Sequence, residues 1–140
     1  MDADLARRAA LCAALGELGM LRLHPVGSLE EARALTASGP VDLCIVEPRG
    51  LETIPTGRFP LYPFDPALTP AILIADDASR ETLRMAAAGG YRVVLASPAA
   101  PRLVYRRIGS ILQKVRRRGR GRAPKLAPAA AASTAELQEA

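Results

Sequence analysis

The stretch VDLCIVEPRG, residues 41–50, decides how the rest of the chain is read. The short apolar run Cys44-Ile45-Val46 follows Asp42-Leu43 and stops at Glu47-Pro48. An apolar run of this length, closed by a turn signal, predicts a buried strand, written here as DLCIVE. It places the Glu47 carboxylate at the strand's C-terminal end, the edge of an open parallel sheet where ligands and chemistry collect. Glu47 is therefore the first candidate site residue.

Working outward, the other segments fall into alternating helices and strands. Asp4 is placed to cap a first helix whose apolar positions are Leu5, Leu11, Cys12, Leu15 and Leu18, with Gly19 as its stop. MLRLHPV, residues 20–26, alternates in polarity and predicts a half-exposed strand with His24 facing solvent. SLEE is a capping box in which Ser28 receives the Glu31 amide and Glu31 returns the bond. The second helix then runs to Gly39-Pro40. AILIA, residues 71–75, predicts a second buried strand, and Asp77 or Ser79 caps a helix closed by Gly89-Gly90. VVLA, residues 93–96, predicts the last strand. From Pro101 onward Leu103, Val104, Ile108, Ile111, Leu112 and Val115 form a helical stripe. Strands alternating with helices imply an α/β fold, a parallel sheet flanked by helices.

Between strands, residues 49–70 carry Pro55, Pro60, Pro63, Pro66 and Pro70, which exclude a helix of ordinary length. This loop also holds Phe59, Tyr62 and Phe64. Either they fold back on the core or they offer a partner an aromatic surface on a pre-organised chain.

The bulk numbers bound the function. A chain of 140 residues holds one domain, and with aromatics at only 4% its core is aliphatic. No run approaches the roughly eighteen apolar residues of a membrane span, and Met1 is followed by acids rather than a basic leader. Cys12 and Cys44 lack any Cys-x-x-Cys or Cys/His spacing, so both are expected as core thiols of a cytoplasmic protein, with no metal and no cofactor. The net charge of +5 is unevenly spread: 12 acidic and 7 basic side chains lie in residues 1–81, against 2 and 12 in residues 82–140. The excess is densest between Lys114 and Lys125. The domain is accordingly expected over residues 1–116, with a disordered, basic and then Ala/Pro-rich tail over 117–140.

The order and punctuation of these segments resemble the receiver domain of bacterial two-component response regulators, over roughly residues 2–116. ELGM, GSLEEA, PVDLCIVE, TPAILIA, AAAGGY and the ASP after the last strand carry the resemblance together. It implies a flavodoxin-like fold. Counted from Gly19, the family's phosphoacceptor aspartate falls on Glu47. Its magnesium-binding acidic pair falls on Asp2 and Ala3, its strand-end hydroxyl on Ala75, its lysine on Ser97 with Pro98 retained, and its aromatic switch on Val94. Only Asp2 keeps the family type. The family's central first strand has no counterpart before Asp2, so the fold is expected as N-terminally truncated. Three explanations are open: a true start upstream of Met1, a sheet that closes around four strands, or a strand donated by a partner.

Phosphoryl transfer needs a metal held by several oxygens and cations on the developing charge. Loss of the second acid and of the lysine removes much of both, and Glu47 carries its oxygens about 1.5 Å further out than Asp. The expectation is a non-enzymatic, phosphorylation-independent receiver acting by protein–protein interaction. Its partner is a bacterial signalling protein: a histidine kinase, a phosphotransfer protein or another regulator, with a homodimer as a further option. Besides the loop aromatics, the candidate surface is Tyr91, Arg102, Tyr105 and Arg106. Glu47 itself is expected as a solvated strand-end carboxylate, or alternatively as a phosphomimic. Two other functions are weighed. Arg116, Arg117, Arg118, Arg120 and Arg122 offer weak, sequence-independent contact to nucleic acid; and Asp2 and Asp4, with an alternative carboxylate such as Asp76 or Asp77, offer the set for a phosphorylatable receiver.

Overall fold

In the computed structural model, described residues are 1–20, 22–49, 65 and 67–119. Three strands form one parallel sheet: β1 (Cys44–Val46), β2 (Ala71–Ala75) and β3 (Val93–Ala96), in the order β1-β2-β3. Cys44 lies opposite Ala71 and Val46 opposite Leu73, while Ile72 lies opposite Val93 and Ala75 opposite Ala96. β2 is buried along its whole length. That is why AILIA is a continuous apolar run and not an alternating one: both faces of a parallel sheet are covered.

The two coverings are different. Ala71, Leu73 and Ala75 pack with Cys44, Val46, Ala86 and Tyr91 on one face. Ile72 and Leu95 pack with Leu15, Val104, Ile108 and Ile111 on the other. The helices supplying these contacts are α1 (Leu5–Glu17), α3 (Arg80–Ala88) and α4, helical over residues 101–119, with α2 (Leu29–Ser38) between α1 and β1 in the chain. Full burial of each large aliphatic such as Ile72, Leu73 or Val104 contributes roughly 1.5–3 kcal/mol. The chain has no Trp and two Phe, so these aliphatic contacts carry the sheet.

The helix ends follow the expected chemistry. Asp4 caps α1 by accepting from the Arg7 amide at 2.9 Å. Ser79 caps α3 through the Thr82 amide, and Asp77 braces that cap by accepting from the Ser79 amide and the Thr82 hydroxyl. Ser28 accepts from the Glu31 amide, but Glu31 returns its bond to the Gly27 amide at 2.7 Å, one residue earlier than a strict capping box. Gly19 takes φ +106°, a left-handed turn that lets the Met20 amide bond back to Leu15 O.

Several expectations are corrected. Residues 22–26 form no strand, because the ladder that would hold them has no adjacent strand on the β1 side. DLCIVE contracts to Cys44–Val46. Leu5 is 69% exposed and does not belong to the apolar face of α1. The last helix continues through 119, so Arg117 and Arg118, expected in the tail, stand on a helix, as Arg116 does. The sheet does not close around four strands among the described residues. Phe59, Tyr62, Phe64, Arg120, Arg122 and the expected disorder beyond 119 lie outside the described residues.

Candidate functional site

The C-terminal ends of β1 and β2 and the turn after β3 bring Glu47, Asp76 and Ser97 to one edge of the sheet, and Arg49 ties them together. Arg49 Nε donates to Glu47 Oε1 at 3.1 Å and stands 3.3 Å from Asp76 Oδ1. Arg49 Nη2 donates to Ser97 Oγ at 2.9 Å. Glu47 is only 5% exposed. The expectation of a solvated strand-end carboxylate is thus corrected: Glu47 is a buried carboxylate with a guanidinium partner. Burial of an unpaired charge is costly, and Arg49 offsets that cost.

Next to this group, Asp2 is held by a second arginine. Arg7 Nε donates to Asp2 Oδ2 at 3.0 Å and Arg7 Nη2 to Asp2 Oδ1 at 2.9 Å, a two-pronged pair. The Asp4 amide also donates to Asp2 Oδ1, and Arg8 Nη1 donates to the Asp2 carbonyl at 2.7 Å. Burial alone pushes the Asp2 carboxyl up. The Arg7 hydrogen bond, the Asp4 amide and the positive charges nearby outweigh it and hold the carboxyl below its ordinary value. The backbone connects the two groups, since the Glu47 amide donates to Met1 O at 2.9 Å.

These residues do not fit a magnesium ion. Both Asp2 oxygens are engaged by Arg7, its neighbour Ala3 is exposed and carries no ligand atom, and Glu47 Oε1 is taken by Arg49. Among the described residues no three His, Cys, Asp or Glu side chains converge as a metal site. What the arrangement does chemically is hold its carboxylates on arginines: Glu47 and Asp76 share Arg49, and Asp2 takes Arg7.

The remaining candidates separate. Ala75 is buried at the end of β2, and Val94 packs on the core cluster of Cys44 and Tyr91. Neither reaches the edge with a polar atom. Tyr91 is 7% exposed, which removes it from the expected partner surface. Its burial, with the Cys44 side chain nearby, pushes the phenol well above its ordinary range. Arg102, Tyr105 and Arg106 remain exposed on α4, with Tyr105 at 40%. Asp77 is spent on the α3 cap, which takes it out of the set of free carboxylates. Arg49 is the residue that sequence reasoning missed. Its signal was its nearness: a guanidinium two residues beyond Glu47, across Pro48, is within reach of that carboxylate.

The fold and this edge define an α/β protein with a three-stranded parallel sheet whose strand ends carry an arginine-locked carboxylate cluster. Comparison with protein-family models and with curated proteins returned no match. Among the described residues no helix is long and apolar enough to cross a membrane.

Proposed function

We propose that the chain is a flavodoxin-like, receiver-like domain acting as a phosphorylation-independent interaction module in a bacterial two-component network. The observation that carries the reading is the position of Arg49. Its guanidinium occupies the strand-end edge where a receiver engages its phosphoryl group, and it holds Glu47, Asp76 and Ser97 at once. A cation bound internally in this way is a permanent countercharge to Glu47 and Asp76, where a receiver's charge at this edge changes on phosphorylation. Such an edge is suited to presenting one constant surface to a partner.

The partner surface is the exposed side of α4 with Arg102, Tyr105 and Arg106. An aromatic ring flanked by two arginines fits an acidic or mixed face on a histidine kinase, a phosphotransfer protein, another regulator or a second copy. The testing experiment is incubation with a small phosphodonor and magnesium, followed by intact mass. The expected result is no phosphoryl adduct, together with unchanged recovery of the partner when the tagged chain is drawn from its own cells. A stoichiometric adduct on Glu47, Asp2 or Asp76 overturns the reading in favour of a phosphorylatable receiver.

One observation favours a second reading. Arg116, Arg117 and Arg118 are exposed on the last turns of α4, and cations are favourable at a helix C-terminus. Three consecutive residues on a helix point in three directions, so they offer phosphate contact without a reading face. Binding to nucleic acid through them is weak, indifferent to sequence and steeply salt-dependent. A gel shift that persists after removal of residues 114–140 refutes it.

A further inference from the structure

Beside β1, on the edge opposite β2, lies a groove of about 750 Å3. Its walls include Leu15, Met20, Leu23, Leu43, Ile45 and Ile108, which are apolar and come from α1, from residues after it, from β1 and the residue before it, and from α4. The backbone at one end of this groove is already organised as a sheet. The Met1 nitrogen donates to Ile45 O, and the Glu47 amide donates to Met1 O. Those two bonds are one step of a parallel ladder, with Met1 opposite Val46. On its other side the Asp2 amide donates to Val26 O at 3.1 Å. Met1 and Asp2 thus sit between β1 and residues 22–26 as the last two residues of a strand would.

We propose that the groove is the seat of a fourth strand, running parallel to β1 and joined covalently to the nitrogen of Met1, contributed by residues that precede Met1 in the full-length polypeptide. It stands on the groove and the backbone bonds of Met1 and Asp2 and does not depend on the signalling reading. Four observations carry it. First, the direction of chain travel back from the Met1 nitrogen leads along β1 toward Ile45 and Leu43, where the groove lies. Second, the Cys44 amide is committed to Pro70 O on the β2 side, so the Ile45 backbone groups point to the groove; its carbonyl already receives the Met1 nitrogen. Third, Met1 and Asp2 close the groove at the Glu47 end by bridging to both sides. A partner strand passing straight through has no exit there, whereas a strand that continues into Met1 needs none. Fourth, the Met1 ammonium is buried, which lowers its pKa below the ordinary value, although Cys44 and Asp2 pull the other way. A peptide bond at that nitrogen keeps the hydrogen bond to Ile45 and removes the buried charge.

The occupant's chemistry follows from its surroundings. The faces of the sheet are covered by apolar clusters, so the strand is a continuous aliphatic run and not an alternating one. At roughly 3.3 Å per residue it takes about five residues to line β1 and its approach. Residues 22–26 then gain a neighbour and become the outer strand of a five-stranded sheet.

The test has two arms. A C-terminal affinity tag placed on the chromosomal copy allows the polypeptide to be drawn from its own cells and its intact mass read. The expected mass exceeds that of residues 1–140 by four or more residues, rich in Val, Ile, Leu or Ala; a native polypeptide that begins at Met1 overturns the proposal. In the second arm the 140-residue chain is compared with the chain carrying those native residues. Amide exchange at Ile45 is expected to slow by at least tenfold and the melting temperature to rise by several degrees. Recovery of a cooperative transition that the 140-residue chain lacks supports the proposal in the same way. Unchanged Ile45 exchange overturns it. So does a dimer of the 140-residue chain that keeps Ile45 protected after the extension is added, which assigns the groove to a second copy and leaves the strand outside it.

Discussion

Replacing Arg49 by Ala tests whether the strand-end edge is held by the guanidinium or merely decorated by it. At 3.1 Å and an effective dielectric of about 20, the gross attraction between Arg49 Nε and Glu47 Oε1 is roughly 5 kcal/mol. That figure is heavily discounted, because the Arg49 side chain is 44% exposed and is shared with Asp76. Glu47, by contrast, has a side chain only 6% exposed, and truncating Arg49 leaves its carboxylate without that partner. A charged hydrogen bond lost from a buried group costs about 2 kcal/mol. With a urea slope of about 2 kcal/mol per molar, the midpoint of Arg49→Ala is expected about 1 M lower, read by far-ultraviolet circular dichroism. Glu47→Gln alone is expected to cost less than about 1 kcal/mol, since Arg49 then turns to solvent and Asp76. The double variant is expected to recover about 1 kcal/mol relative to the sum of the two, because removing the charge removes what Arg49 was neutralising. If Arg49→Ala unfolds within about 0.3 M urea of the parent, or if the two changes simply add, the lock does not exist as described.

Three further outcomes follow from the packing and the charges. Asp2 is held below its ordinary carboxylate range, so its contribution is fully present above the unfolded-state pKa and is lost as pH falls through the folded value. Asp2→Asn should therefore destabilise the protein at neutral pH, and the gap to the parent should close as pH falls through the folded-state value of Asp2; a gap that is constant with pH contradicts the Arg7 pairing. Leu73→Ala opens a cavity at a side chain with no exposed surface and should cost about 3 kcal/mol. Leu5→Ala at the surface should stay within about 0.5 kcal/mol, and equal losses in the two urea titrations would invalidate the core assignment. Burial pushes the Cys44 thiol up to about 11, although the Met1 ammonium nearby pulls it down. A thiol reagent at mild alkaline pH should therefore label Cys12 first and reach Cys44 only on unfolding; equal rates would contradict the buried placement.

Much of the fold was legible because its elements are local or carried by a single strong pattern. AILIA and VVLA became β2 and β3 as read, since a run of aliphatics bounded by turn residues has few other uses in a chain this short. Asp4, Ser28 and Ser79 start their helices through bonds to amides only three residues away, within reach of inspection. The stripe on α4 was also visible, and it delivered Val104, Ile108 and Ile111 to the core. MLRLHPV failed because its alternation describes a strand only if another strand lies beside it. That condition is non-local: the segment borders a groove, and Val26 O receives the Asp2 amide rather than a strand of the sheet.

The candidate site divides along the same line. By itself, the sequence determined that a carboxylate stands at the end of β1, that Ala75 and Val94 bring no polar atom to the edge, and that Ala3 cannot complete an acidic pair with Asp2. These are statements about residue type and position, and they need no third dimension. Only the tertiary structure decided what Glu47 is. Its burial depends on residues distant in the chain. Its charge is met by Arg49, which also spans to Asp76 on β2's turn and Ser97 after β3. Tyr91 was decided in the same way, its ring drawn into the cluster of Cys44 and Ala86 and away from any partner. Whether a charge is solvated or locked depends on which distant strand ends meet, and that meeting is a consequence of packing the sheet.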